Sequence, residues 1–473
     1  VAGEEEPSLE IYPYIEVDER KGLLIGGVPA SRIARRHGTP LYVYSEEAIV
    51  DRMREYSTSL SLVYPDSAVA YAGKAYLTMR MASLVAREGL WLDVASGGEL
   101  YVALQAGFPP ERVIFHGNNK SQDELTMAVQ AGVGRVVVDN LDELAGLQKT
   151  AKEQGRVQDI LLRLTPGIDP HTHKYLATGE IDSKFGIAMH GDRHFAAARA
   201  ASRSPNLNLL GFHCHVGSQV FDTSVFVATA RAMMNFALAL RDRDGIAARE
   251  LDLGGGLGVV YAEGPGEGEL RHGDACGTTT EEMEVPPRRY LAEMALEVKR
   301  LGQEKAFPLP RLYVEPGRSI VAAAGVTLYT VGSVKELPDG VTVAAVDGGM
   351  SDNPRPMLYG TRYRAVTVQP PRETGVRRVR IVGKHCEEGD TLIQEAYLPP
   401  LRPGDLLAVL VSGAYQHSMR SSYNALPAPA VVHVARQRAF TVVERQTYRD
   451  LVAKERPVRD AGDRRQDKTA NGI

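Results

Sequence analysis

Residues 90–107 read LWLDVASGGELYVALQAG. Leu90–Ala95 is a short apolar run interrupted by one carboxylate, Asp93. Beyond it, Leu100, Ala103 and Leu104 fall at i, i+3 and i+4, the spacing of one helix face. The same strand-then-helix texture recurs around Val69–Ala75, Arg112–His116, Val136–Asp139, Ile160–Leu164, Leu209–Val216, Glu250–Leu253 and Leu312–Glu315. Most of these runs are near-continuously apolar, as parallel strands covered on both faces must be. Ser121 reads as an N-cap with Glu124 at the capping-box position. Leu291, Met294, Ala295, Val298 and Leu301 form an amphipathic stripe before the last run. Eight units over roughly 250 residues match a (β/α)8 TIM barrel in count and length. An open doubly wound sheet is the alternative, but eight repeats favour closure.

Outside the barrel the texture changes. After residue 318, strand runs continue without helical spacing, separated by turns such as PDG (338–340) and PGD (403–405). This predicts a C-terminal antiparallel β domain over 318–455. Residues 1–45, with runs at Leu9–Val17 and Leu41–Tyr44, are expected to join it, leaving 46–317 as the barrel. Residues 262–284, rich in Gly, Glu and Thr, read as a loop insertion, and 456–473 as a disordered polar tail.

The chain has 473 residues, 44% apolar and 24% charged, which is ordinary globular composition. A net charge of −4 gives no case for nucleic-acid binding. Three cysteines (Cys214, Cys276, Cys386) without a CxxC argue against a disulfide framework and suit a reducing cytoplasm. The acidic start, VAGEEEPSLE, has no signal-peptide core, and no run approaches the length that spans a bilayer. Ile320–Val331 is the best candidate and reads as strand.

In such a barrel the chemistry sits at the C-terminal strand ends. Lys74 ends the first strand, in YAGKAYLT (71–78), and reads as a lysine desolvated at the rim. Asp93, His116 and Asp139 end the next three. Gly254-Gly255-Gly256 follows strand seven, where consecutive backbone N–H groups can cradle an anion and barrels commonly bind phosphate. Glu315 opens EPGR (315–318) after strand eight. A phosphate cradle, a lysine for an aldehyde and a carboxylate for a ring nitrogen suggest pyridoxal 5'-phosphate (PLP). A carboxylate there keeps the pyridine protonated, which suits decarboxylation.

These residues, with LDVASGGEL (92–100), FHGNNKS (115–121), HTHKYLATGEIDSKFG (171–186), GFHCHVGSQ (211–219), LDLGGGLG (251–258), NPRPMLYG (353–360), GKHCEEGD (383–390) and GAYQHSMRSSYN (413–424), resemble the alanine-racemase-like fold-type III PLP enzymes. Within them the match is to the diaminopimelate decarboxylase family, over most of the chain. The resemblance implies decarboxylation of meso-2,6-diaminopimelate to L-lysine, the last step of lysine biosynthesis. It implies that Lys74 holds the cofactor's aldehyde and that His215 stacks on its ring. Ser218, Gly255, Gly256 and the turn Glu315, Pro316, Gly317, Arg318 would hold phosphate and ring. Arg318, Arg355 and Tyr359 would bind the substrate's distal carboxylate, and Glu387 its distal ammonium. Cys386 would be the proton donor, and Tyr423 would touch cofactor and substrate. In the family Cys386 and Glu387 reach the lysine of a second subunit, implying a homodimer with shared sites.

The chemistry agrees. A dicarboxylic substrate needs arginine at its far end, because guanidinium binds carboxylate bidentately. An ornithine or arginine decarboxylase, or one for a carrier-linked substrate, is the first alternative, and a non-catalytic PLP-binding homologue the second. A racemase would need a second clear base. His213 and His215 lie on one side of a strand, but no carboxylate or cysteine in sequence completes a metal set, so no metal is expected. The chain departs from the family at Tyr76, where many members have Asn, and at Pro427–Val432, which lacks the family's Arg and Glu.

Overall fold

A computed structural model describes residues 9–168, 184–261 and 285–456. The 262–284 insertion, most of the motif at 171–186, and residues 457–473 lie outside the described residues.

Eight parallel strands form a closed barrel. They are β1 (Ser67–Ala72), β2 (Trp91–Val94), β3 (Val113–Phe115), β4 (Arg135–Val138), β5 (Gln158–Thr165), β6 (Leu207–His213), β7 (Glu250–Asp252) and β8 (Arg311–Val314). Each pairs with the next, and β8 closes on β1 through Leu312 opposite Ser67. The helix starts obey the signals in the sequence. Ser121 and Glu124 make the expected capping box, and the other oxygen of Glu124 accepts the Gly97 N–H at 2.7 Å, tying two neighbouring loops together. Ser96 and Asn140 cap the helices Gly97–Gln105 and Leu141–Glu153 by accepting from the Glu99 and Glu143 N–H groups, without the reciprocal bond.

The two-residue period of the strands sorts the barrel interior into layers. At the N-terminal end Arg135 forks onto Glu250 at 2.7 and 2.6 Å, beneath Trp91 and Tyr313. Above it lies an apolar layer of Ala70, Ile114, Val137, Leu161, Leu210 and Tyr313. Two residues beyond Ile114, Glu250 and Tyr313 come His116, Asp252 and Glu315, polar and buried. The sequence patterns suggested apolar strands throughout; the interior is instead apolar only in its middle layer.

The second sheet has nine strands and is mixed, which corrects the antiparallel expectation. Leu41–Ser45 pairs parallel with Ala430–Ala435, the connection between them being the barrel and six further strands of this sheet. Thr342–Val346 pairs parallel with Arg377–Val382, with residues 347–376 as the crossover. Of the early strands only Leu41–Ser45 joins this sheet. Leu9–Tyr12 to Val28–Pro29 form a four-stranded sheet of their own, tied across by the Leu23 N–H to Val368 O at 2.9 Å. Thr391–Leu398 is a strand the sequence patterns missed. The helix Thr223–Asp244 has the length and hydropathy to cross a bilayer, which the sequence reading also missed; most of that stretch is buried inside the fold.

Candidate active site

β1 stops at Ala72, and Gly73–Ala75 is one 3-10 turn over the barrel mouth. A Cβ on Gly73 would lie 2.9 Å from the Asp93 carbonyl, so only glycine fits that turn without a shift. The Lys74 side chain is exposed into a cavity of about 960 Å³, not desolvated as its strand suggested. Three bonds fix its turn: Tyr71 OH to Tyr76 O (2.8 Å), Tyr415 N–H to Ala75 O (2.7 Å), and Ala72 N–H to Pro316 O (3.1 Å).

Beneath the cavity lies a buried cluster. Glu315 Oε1 is 2.6 Å from His116 Nε2, and its Oε2 is 3.1 Å from His213 Nε2. Burial pushes the Glu315 carboxyl up, but the two imidazoles outweigh it and hold it well below the carboxylate range. Burial lowers His213 to about 3, so it is neutral and donates Nε2–H to Glu315. Burial, with the charge of Glu315, raises Asp252 well above its ordinary value, so Asp252 keeps a proton that Glu315 has lost. Burial likewise lifts Asp93 to about 7, against the pull of His116. The sequence offered no carboxylate to join His213. The fold supplies two, with donor atoms of His116, His213, Asp252 and Glu315 within 4.8 Å of one another.

The glycine triplet is less open than it read. Gly254 N–H bonds Asp252 Oδ1 at 2.9 Å, and Gly255 N–H bonds His215 Nδ1 at 3.3 Å. Gly255 and Pro316 do not line the cavity; a Cβ on Gly255 would sit 2.1 Å from Glu315 O. Gly256, at φ 120°, does line it, with Gly317, Ser218, His215 and Glu315. Burial, then the charge of Lys74, holds His215 well below its usual range, so its ring is neutral.

Arg318, Arg355 and Tyr359 line the same cavity. Arg318 donates to Ser218 Oγ at 2.8 Å and to Tyr261 OH. Arg355 is buried and donates Nε–H to Tyr363 OH at 3.1 Å. Among the described residues neither guanidinium pairs with a carboxylate; both lie over tyrosine rings, of which Tyr261 and Tyr415 are shared. The sequence reading assigned neither tyrosine a role, although Tyr415 stands inside a quoted motif.

Cys386, Glu387 and Tyr423 do not line this cavity. Cys386 is exposed, its N–H held by Asn424 Oδ1 at 3.0 Å. Tyr423 stacks on His385, and its hydroxyl donates to Glu387 at 3.4 Å. Asp390 shapes the loop by accepting from Met350 N–H and from the backbone N–H and ring Nδ1 of His385 at 2.7–2.9 Å. Nearby lies exposed apolar surface: Met357 is 48% exposed, Leu358 58% and Tyr359 63%.

A family profile, "Pyridoxal-dependent decarboxylase, pyridoxal binding domain", matches residues 46–322. The diaminopimelate decarboxylase of Bacillus subtilis (strain 168) is 44% identical over 435 residues, covering 92% of this chain and 95% of that one. The chain belongs to the diaminopimelate decarboxylase family. A family member from Actinosynnema pretiosum subsp. auranticum is 44% identical over 455 residues, covering 95% and 97%. The crystal structure of the M. jannaschii diaminopimelate decarboxylase in complex with L-lysine superposes with a TM-score of 0.86 at 32% identity, covering 95% and 99%. Like other members of this decarboxylase family, the chain is a PLP-dependent carboxy-lyase. Its residues fit that cofactor: an exposed primary amine, a charged buried carboxylate, a neutral imidazole and the close backbone approach at Gly256 meet in one cavity.

Proposed function

We propose that this chain removes CO2 from meso-2,6-diaminopimelate to give L-lysine, at a site completed by a second copy of itself. The observation that carries it is the pair Arg318 and Arg355, without carboxylate partners among the described residues, in the cavity that holds Lys74. Such a pair suits a substrate whose far end is a carboxylate. PLP bound there supplies an electron sink for the pair left by the departing carboxylate.

With PLP bound, Lys74 would hold its aldehyde, neutral His215 would cover its ring, and Glu315 would meet the ring nitrogen as a carboxylate. Ser218, Gly255, Gly256 and the 315–318 turn hold the remainder. Arg318, Arg355 and Tyr359 orient the substrate's distal carboxylate. Cys386 and Glu387 of a second copy deliver the proton and meet the distal ammonium, and Tyr423 touches cofactor and substrate. Their separation from the cavity within one chain, and the exposed apolar surface near them, support the homodimer. The free thiols of Cys214 and Cys386 support a cytoplasmic setting.

The test is CO2 release from meso-diaminopimelate, ornithine, arginine and lysine, with and without PLP. Release from diaminopimelate alone is expected; release from ornithine and none from diaminopimelate overturns the reading. Mixed Lys74→Ala and Cys386→Ala chains, each inactive alone, are expected to recover part of the activity. Confirmed heterodimers without recovery rule out the shared site.

A further inference from the structure

Tyr415 touches the Lys74 turn through its main chain and the two arginines through its ring. Its main chain sits at φ 73°, a left-handed conformation that a tyrosine rarely adopts. That bend lets its N–H reach Ala75 O at 2.7 Å, next to Lys74. Its ring lies 4.8 Å from the Arg318 guanidinium carbon and 5.1 Å from that of Arg355. A tyrosine face attracts each cation, while two like charges sharing one small volume repel. The Tyr415 ring, the nearer of the two that both guanidiniums share, thus helps hold a pair that no carboxylate among the described residues gathers; the other, Tyr261, lies 5.8 and 5.7 Å from them.

The segment around Tyr415 is itself fixed. A Cβ on Gly413 would lie 1.9 Å from Val321 O, so the chain passes against the short helix Arg318–Val321 with no room for a side chain. On the other side the Gln416 amide accepts from Tyr363 OH at 2.5 Å, and that hydroxyl accepts from Arg355 Nε. Tyr415 is thus anchored at the lysine turn, at the helix Arg318–Val321 and, through Gln416 and Tyr363, at Arg355.

We infer that Tyr415 is a positioning residue that sets the span from Lys74 to the Arg318–Arg355 pair, and so selects amino acids carrying a carboxylate at that distance. The inference rests on the function proposed above. Its role is to hold two arginines in register with the amine, not to take part in bond making.

The test uses the PLP-loaded protein with Tyr415→Asn, since Asn tolerates the left-handed backbone, and Tyr415→Phe, which keeps the ring. Calorimetric titration with L-lysine is expected to show at least tenfold weaker binding for Tyr415→Asn and less than threefold change for Tyr415→Phe. Inhibition by cadaverine, which has no carboxylate, should change less than twofold. KM for diaminopimelate should rise with the L-lysine constant while kcat changes less than threefold. Tyr415→Gly, which the backbone also favours, repeats the measurement if the Asn chain does not fold. L-lysine binding unchanged in Tyr415→Asn, equal weakening of cadaverine, or a Phe chain as impaired as the Asn chain each overturns the inference. A wild-type chain that neither decarboxylates diaminopimelate nor binds L-lysine overturns the underlying function, and the role of Tyr415 with it.

Discussion

Tyr76, two residues beyond Lys74, is fully buried and bridges the barrel to the second sheet. Its hydroxyl meets His433 Nε2 at 2.8 Å, and His433 Nδ1 meets Glu46 Oε1 at 2.8 Å. Glu46 is forked by Arg80 at 2.7 and 2.6 Å. Burial lowers the His433 pKa against the pull of Glu46, so near neutral pH the ring carries one proton. Nδ1–H then donates to Glu46 and Nε2 accepts from Tyr76. Tyr76→Phe removes that donor and leaves a buried acceptor unmatched, which costs about 1–3 kcal/mol. The stack on Tyr44, with ring centroids 4.1 Å apart, survives the change. His433→Phe strands the Tyr76 hydroxyl in turn, with a similar penalty. The double variant leaves an apolar contact and an intact Glu46–Arg80 pair, so it should lose at least about 1 kcal/mol less than the two single losses added. Urea unfolding of all four proteins at pH 7.5 measures this. Additivity to within about 0.5 kcal/mol would refute the coupling.

Two further consequences concern stability. His417, lowered to about 3 by burial and by Arg420, takes up its proton in the unfolded chain first, so stability is intact above pH 6.5 and falls as pH drops toward 3. At pH 5 this amounts to about 2 kcal/mol, from 1.36 kcal/mol per unit over roughly 1.5 units; His417→Phe should shrink the difference between urea midpoints at pH 7.5 and pH 5 accordingly. Lys120 donates to Gly117 O, Val137 O and Glu143 at 2.7–2.8 Å from a buried position. Lys120→Ala isolates the Glu143 charge and should cost about 3–5 kcal/mol by urea unfolding; a loss under about 1 kcal/mol would contradict a structural clamp.

The barrel was legible because its strands are covered on both faces and leave apolar runs at even spacing. Lys74, His215, Glu315 and the arginines, picked out of separate motifs, line one cavity. What the sequence hid was contact across strands. Asp252 and His213 lie far apart in sequence and meet at Glu315 only because β6, β7 and β8 are neighbours. Thr391–Leu398 escaped notice because Gln394 and Glu395 are exposed in its middle and break the apolar run. The parallel pairs were hidden for a related reason: strand direction follows from crossover length, not from local composition. Tyr76 stood out in its motif without a purpose, since His433, its partner, belongs to the last part of the chain.

These contacts bear on why the site needs more than the barrel. The matched family profile ends at residue 322, yet the Lys74 turn is held from outside that span. Ala75 O accepts from Tyr415 and Tyr76 OH meets His433, one contact on each of the two residues after the lysine. A shift of the second sheet would therefore carry the lysine turn along with Tyr415 and the arginines stacked on it. The amine-to-arginine distance is thus protected within one chain. In the proposed function the Cys386 loop has no such tie to the cavity and reaches it only from a second copy. Distal carboxylate recognition then belongs to the single chain, while proton delivery belongs to the pair.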